Sequence, residues 1–356
     1  IFLGTTIEIL RLAHIPTPLQ RLDRLSELWG GEIWIKRDDL TGSGLSGNKV
    51  RKLEYLLTDA AANGADTLIT CGGIQSNHCR ATALTAARMR LKCRLLLRGI
   101  PPRELDGNLL LDRLAGAEIQ FIDEDRYQND LSSELRRIAE DVKSRGGNPY
   151  IIPEGGSNHI GARGYVQAAA ELHRQCDEIG LQPKRIVCAT GSGGTHAGLW
   201  FGVKSQNWAV EIWSASVCYD RAEIAQRIHR IILDMISSEQ TSLTCGLDDI
   251  LVLDGYRGLG YAKADKSEFD VIIETAREEG IIVDPVYTGK AARAIKAETQ
   301  AGRMPGATIF WHTGGVFGLF PFRRGLEKAL KTARADTKLH LKGYVCGCQK
   351  SRLTTL

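Results

Sequence analysis

Strand-like and helix-like segments alternate through most of this chain, and that alternation limits the fold more than any single motif does. Residues 33–37, 67–71, 93–97, 118–122 and 150–152 read as strands, as do 185–190, 210–217, 250–253 and 307–313. Helical patterns lie between them. Over residues 48–63, Val50, Leu53, Leu57, Ala60 and Ala61 form one apolar stripe. Alternation of this kind predicts an α/β fold whose mainly parallel sheets are flanked by helices. At 356 residues the chain exceeds the size at which a single core stops growing, so two domains are expected. In such sheets ligands bind beyond the carboxyl ends of the strands.

Three of those ends carry polar or glycine-rich turns. The strand at 185–190 runs into Gly191-Ser-Gly-Gly-Thr195 and then a helix. Glycines let the backbone N–H groups converge, and the helix N-terminus adds positive potential, so Gly191, Ser192, Gly193, Gly194 and Thr195 read as a phosphate cup. The alternative is a tight strand-to-helix turn. A dinucleotide fingerprint is excluded, because His196 occupies its sixth position. The strand at 67–71 leads to Gln75-Ser-Asn-His78. One residue of that set, Ser76 or Asn77, would be enough to cap the following helix, and four polar side chains together favour a site. His78 taken alone is equally a structural histidine. The strand at 307–313 places Thr313 at a glycine turn, where it would face a pyridine nitrogen or cap the turn.

Lys49, in Thr41-Gly-Ser-Gly-Leu-Ser-Gly-Asn-Lys49, does not fit a nucleotide-binding loop. Gly42 and Gly47 have the spacing, but Asn48 intervenes and Val50 stands where a magnesium-binding hydroxyl belongs. A cup for one phosphate, with neither a magnesium nor a dinucleotide signature, points instead to pyridoxal 5'-phosphate, which needs a lysine for its Schiff base. Asp284-Pro-Val-Tyr-Thr-Gly-Lys290 is a further loop, in which Tyr287 is either a proton donor beside a ring or a core tyrosine.

Composition narrows the remaining classes. Hydrophobic residues make up 43% and charged residues 25%, and the net charge of +4 gives no footprint for nucleic acid. No apolar run reaches membrane-spanning length, and no secretory signal is visible. An intracellular protein, cytoplasmic or organellar, is expected. The first residue is Ile1 rather than Met, which leaves room for a removed targeting segment. Nine cysteines, most of them single within apolar runs, read as buried free thiols. Cys346-Gly-Cys348 lacks the second ligand pair of a zinc site. Residues 331–356 lose the alternating rhythm and read as a basic tail.

Taken in order, Ser46-Gly-Asn-Lys-Val-Arg-Lys-Leu-Glu54, Gln75-Ser-Asn-His78, Gly191-Ser-Gly-Gly-Thr195, Asp284-Pro-Val-Tyr-Thr-Gly-Lys290 and His312-Thr-Gly-Gly315 resemble the fold type II pyridoxal-phosphate enzymes. Within them the chain resembles the D-cysteine desulfhydrase and 1-aminocyclopropane-1-carboxylate deaminase group, over about residues 10–325. Ile35-Lys-Arg-Asp-Asp-Leu40 and Gly64-Ala-Asp-Thr-Leu-Ile69 are most similar to the desulfhydrases. The resemblance implies two open twisted sheets, a large domain from residues 1–49 and 161–330, and a small domain from 50–160. It implies a homodimer acting on a small amino acid. Lys49 would carry the cofactor and move the α-proton, Asn77 would bind the ring hydroxyl, and residues 191–195 the phosphate. Thr313 would face the ring nitrogen, with Tyr287 beside the cofactor. Ser76, Asn77 and His78 would meet the substrate, and Ser76, Tyr261 and Tyr287 would serve catalysis.

The implied reaction is α,β-elimination of D-cysteine to pyruvate, ammonia and hydrogen sulfide. The rivals are opening of the cyclopropane amino acid and elimination from L-cysteate or D-serine; a non-catalytic binder would have little use for the tyrosines. Thr288 is expected to face the substrate where the cyclopropane deaminases carry Glu, and a threonine cannot supply that carboxylate. Trp311 stands where relatives commonly have Ile, and Phe317-Gly-Leu-Phe-Pro-Phe322 is unusually aromatic, so an altered substrate pocket is expected.

Overall fold

The computed structural model describes residues 9–340. Ten strands are present: β1 (Leu19–Arg21), β2 (Ile33–Arg37), β3 (Thr67–Gly73), β4 (Lys92–Arg98), β5 (Glu118–Ile122), β6 (Pro149–Ile151), β7 (Arg185–Thr190), β8 (Glu211–Ser216), β9 (Leu251–Leu253) and β10 (Thr308–His312). They form a six-stranded sheet of order β1-β2-β10-β7-β8-β9 and a four-stranded sheet of order β5-β4-β3-β6. All pairings are parallel except that of β1 with β2. Strands β3, β7 and β10 are buried along their whole length, as expected of parallel strands covered on both faces. Two apolar clusters sandwich the six-stranded sheet, one containing Ile186, Cys188 and Ile309 and the other Val187, Ala189 and Phe310. This is the period-two alternation of strand side chains read out as two cores.

The parallel register of β10 with β7 brings the turns after both strands to one end of the sheet. Close helix packing sets the depth of the first turn. Helix Gly194–Ser205, which follows β7, lies against helix His159–Glu178, and a Cβ on Gly198 would come within 2.2 Å of Ala162 O.

Several expectations need correction. Of the tail expected over residues 331–356, residues 331–340 continue helix Arg323–His340, which seats Ala329 in the core beside Phe269, and residues 341–356 lie outside the described chain. Trp311 does not shape a substrate pocket. It is fully buried, and its Nε1–H donates to Asp38 Oδ2 at 2.9 Å. The aromatic run 317–322 also stays outside the main cavity; Phe317 lies under the Arg80 guanidinium at 4.8 Å, and Phe322 packs on Phe269. The seven described cysteines are free thiols, five of them buried. Cys346 and Cys348 lie outside the described residues. Among the described residues no helix is long and apolar enough to cross a membrane.

Candidate active site

One cavity of about 250 Å³ collects the strand-end turns of both sheets. It is lined by Lys49, Ser76, Asn77, His78, Gly191, Ser192, Gly193, Thr195, Tyr261, Tyr287 and Thr313, residues separated by up to two hundred and sixty-four positions in the chain.

Lys49 sits in the first turn of helix Asn48–Ala62. The helix starts at Gly47, whose φ of 90° suits glycine and where a Cβ would meet Thr313 O at 2.7 Å. Asn48 N–H donates to that same Thr313 carbonyl at 3.0 Å, which ties the lysine-bearing helix to the end of β10. Lys49 Nζ donates to Gly155 O at 3.3 Å. Burial lowers its pKa to about 8, against the opposing pull of the Glu154 carboxylate.

The turn after β7 leads into helix Gly194–Ser205, which has no side-chain cap at Gly193. Its N-terminal potential is therefore available to an anion. Ser192 Oγ and Ser157 Oγ lie 2.7 Å apart, and Ser157 Oγ accepts from Gly194 N–H at 3.2 Å. Lys52 Nζ donates to Ser157 Oγ at 3.0 Å and to Gly155 O at 3.2 Å. Burial, together with the neighbouring Lys49 charge, pushes the Lys52 amine well below its ordinary value, which an arriving anion would reverse. Thr195 Oγ1 accepts from Asn48 Nδ2 at 3.0 Å. Gly194 does not line the cavity. It stands behind the cup, where a Cβ would meet Ser157 Oγ at 2.6 Å and Lys52 Nζ at 2.8 Å.

At the end of β3, Ser76 caps helix Asn77–Arg88 by accepting from Cys79 N–H at 3.2 Å while also lining the cavity. Asn77 Oδ1 accepts from Asn108 Nδ2 at 3.1 Å, which leaves its own amide donors for the cavity. His78 is buried, and its Nε2 lies 2.9 Å from Thr70 Oγ1. Thr70 spends its single proton on Ile152 O at 2.8 Å, so Nε2–H is the donor and Nδ1 is an unprotonated acceptor with no partner. Burial, with Lys49 and Lys52 nearby, holds the imidazole neutral.

Tyr287 and Tyr261 come from different elements, and their hydroxyls meet at 3.0 Å, Tyr287 donating. Burial pushes both phenols above their ordinary range. Thr288 departs from expectation. It is fully buried and does not line the cavity; its Oγ1 donates to Asp284 Oδ1 at 2.7 Å and accepts from Asp284 N–H at 2.8 Å. The Asp284 carboxylate also takes the N–H groups of Val286, Tyr287 and Thr288, so the threonine completes the turn and faces away from any substrate.

Sequence reasoning missed Lys52, Ser157 and Glu154. Lys52 was findable, since it lies three residues after Lys49 on one helix face. The glycine-rich turn Pro153-Glu-Gly-Gly-Ser157 after β6 gave a signal of the same kind as the cup.

A partly exposed amine of lowered pKa, beside an uncapped helix N-terminus with two hydroxyls and a second amine, fits one phosphate joined to an aldehyde-bearing ring. Fold and site together define a pyridoxal-phosphate enzyme built on two parallel sheets. A sequence profile of the family described as pyridoxal-phosphate dependent enzyme matches residues 10–314, and the chain belongs to that family. It is 43% identical to a Thermotoga maritima protein provisionally named 1-aminocyclopropane-1-carboxylate deaminase, over 87% of this chain and 97% of the relative. It is 40% identical to a D-cysteine desulfhydrase of Salmonella paratyphi B, over 88% and 95% respectively. A crystal structure of a homologue of 1-aminocyclopropane-1-carboxylate deaminase superposes with a TM-score of 0.83 at 36% identity, covering 90% of this chain and 96% of that one. The fold is thus that of the fold type II enzymes, the cofactor is pyridoxal phosphate, and the protein is a lyase of that family.

Proposed function

We propose that this enzyme eliminates sulfide from D-cysteine, giving pyruvate, ammonia and hydrogen sulfide. The carrying observation is the pair of neutral hydroxyls, Tyr287 and Tyr261, set 3.0 Å apart at the cavity, with Thr288 turned into Asp284 beside them. That wall offers hydroxyls and no carboxylate from position 288. A thiolate leaves without the help of an acid stronger than phenol, since its conjugate acid has a pKa of about 8.5. Kinship with the Salmonella D-cysteine desulfhydrase supports the same reading, and it alone supports the D enantiomer.

Residues 191–193, Thr195, Ser157 and Lys52, which line or back the cup, would hold the phosphate, with Asn77 for the ring hydroxyl and Thr313 for the ring nitrogen. When bound, the cofactor supplies the electron sink that makes the substrate's α-proton acidic. Ser76 and Asn77 orient the substrate carboxylate. His78 is neutral and its Nδ1 is a buried acceptor, so it does not bind the substrate carboxylate. Lys49 Nζ takes the proton from Cα as the Cβ–S bond breaks, and the departing sulfur receives a proton from the Tyr261–Tyr287 pair. The three-carbon enamine left behind is hydrolysed by water to pyruvate and ammonia. On this reading residues 50–160, which carry the four-stranded sheet, are the smaller domain, residues 9–49 and 161–330 the larger, residues 1–8 lie outside the described chain, and the cavity draws its lining from both.

The Thermotoga relative favours a second reading, opening of the cyclopropane amino acid to 2-oxobutanoate. Purified holoenzyme assayed with both cysteine enantiomers, D-serine, L-cysteate and 1-aminocyclopropane-1-carboxylate separates the two. The expected result is the highest kcat/KM for D-cysteine, with pyruvate and sulfide in equal amounts. Faster release of 2-oxobutanoate would overturn the substrate assignment, and faster turnover of L-cysteine its stereochemistry.

A further inference from the structure

Lys290 ends the turn that carries Tyr287, yet nothing in the chemistry above uses it. It lies in the first turn of helix Thr288–Gln300 and is fully buried. Its Nζ donates to Gly260 O at 2.6 Å, Arg257 O at 2.7 Å and Val217 O at 3.3 Å. An ammonium has three donors, and here each has an acceptor. Three carbonyl acceptors call for the protonated amine, and burial, which lowers the Lys290 pKa against Glu268, Cys218 and Asp284 and with Arg293, makes that charge one an apolar side chain would not carry.

What the ammonium provides is a tie between segments. Arg257 and Gly260 belong to the loop between β9 and helix Lys266–Glu279, and Val217 follows β8. That loop has little regular structure and runs through positive φ at Gly258, Gly260 and Ala262. Gly260 directly precedes Tyr261. On its far side the Tyr261 ring lies under the Arg98 guanidinium at 4.8 Å. The two tyrosine rings meet edge to face, with centroids 6.0 Å apart. Because Tyr287 donates its hydroxyl proton to Tyr261, the Tyr261 hydrogen is the one left for the cavity.

We propose that Lys290 is a positioning residue: its ammonium clamps the loop carbonyls so that the Tyr261 hydroxyl is held at the cavity against Tyr287. The proposal rests on the reading of the two tyrosines as proton donors, and it does not depend on which amino acid is turned over.

The test uses holoenzyme and whichever amino acid the substrate panel finds best, so failure of the D-cysteine assignment leaves it standing. Hydrogen exchange of Lys290→Met should speed up over residues 254–265 and stay unchanged in helix Gly194–Ser205, with cofactor absorbance retained. Its kcat should fall roughly tenfold or more, part of the about 10²–10⁴ that a placed proton-transfer group supplies. In a Tyr261→Phe background the same substitution should cost nothing further, as expected when one residue acts through another. Unchanged exchange over 254–265, or a Lys290→Met loss that persists in full in the Tyr261→Phe background, overturns the proposal. Should Lys290→Met not fold, Lys290→Gln, which keeps two donors, carries the same cycle with a smaller expected loss.

Discussion

A lysine amine attacks a carbonyl only when unprotonated, and Lys49 reaches that state close to neutral pH because burial of the wall around its Nζ disfavours the charged form. The direction of the effect fixes a pH dependence. Below a pKa of about 8 the amine is charged and inert, and above it the amine is free to react. Cofactor-free protein mixed with pyridoxal phosphate should therefore gain the Schiff-base absorbance faster as pH rises, half-maximally near pH 8. A midpoint near the unperturbed 10.5 would mean that burial does not act on this amine. At the same scale the sequence announced Lys49, Asn77, Thr313 and both tyrosines by their motifs. It misled at Thr288, because a side chain in the right turn can point either way, and three backbone N–H groups converging on Asp284 decided which.

Between elements, the cup depends on two helices in backbone contact. A Cβ at Gly198 would meet Ala162 O at 2.2 Å and Tyr165 Cβ at 2.6 Å, and one at Gly202 would meet Ala169 Cβ at 2.7 Å. Helix His159–Glu178 follows Ser157, and helix Gly194–Ser205 begins at the cup, so their spacing sets the distance between Ser157 and the turn after β7. Gly198→Val should push them apart at a cost of about 1–3 kcal/mol. The urea midpoint should fall and the Kd for pyridoxal phosphate should rise; an unchanged midpoint would refute this account of the packing. Nine of the ten strands were legible to within two residues at each end, because runs such as β3, β7 and β10 are short, apolar and followed closely by glycines, whereas the three-residue β1 carries too little pattern to be read. Helix Arg323–His340 was not legible, since its apolar positions are few among charges and only contact with Phe269 and its neighbours marks them as an inner face.

For the molecule as a whole, a buried ionic cluster joins four parts of the chain. Arg51 donates to both oxygens of Asp38, at 2.9 and 3.0 Å, and to both of Glu171, at 2.9 and 3.0 Å. Lys36 adds a contact to Glu171 at 2.5 Å, and Tyr165 and Trp311 donate to Asp38 at 2.6 and 2.9 Å. Burial pushes both carboxyls up, but Arg51 and Lys36 outweigh it and hold Asp38 below 3.8 and Glu171 below 4.5. Depressed carboxyls contribute stability that is present above those ordinary values and lost as pH falls through the folded ones. Arg51→Met leaves two buried carboxylates short of a partner, so it should cost about 3–5 kcal/mol at neutral pH. It should also flatten the rise of stability with pH on the acid side, by the share that Asp38 and Glu171 contribute. Urea denaturation across the acid range measures both effects, and a variant that keeps the wild-type rise would show that Arg51 does not hold these groups.

The sequence by itself determined the class of fold and the family. Period and punctuation are local properties, and the ordered motifs around Lys49, Ser76, Gly191, Tyr287 and Thr313 lie on contiguous stretches of chain. Only the tertiary structure decided which side chains share the cavity. Lys52 and Ser157 joined the cup because two helices pack in contact, and Thr288 left the site because Asp284 claimed its hydroxyl. Trp311 went to a buried carboxylate and not to a substrate pocket. Lys290, ordinary as a letter in the chain, became a tie between three segments. Each of these outcomes turned on hydrogen-bond partners brought from elsewhere in the chain or on the direction a side chain took within its turn, neither of which a residue's place in the sequence specifies.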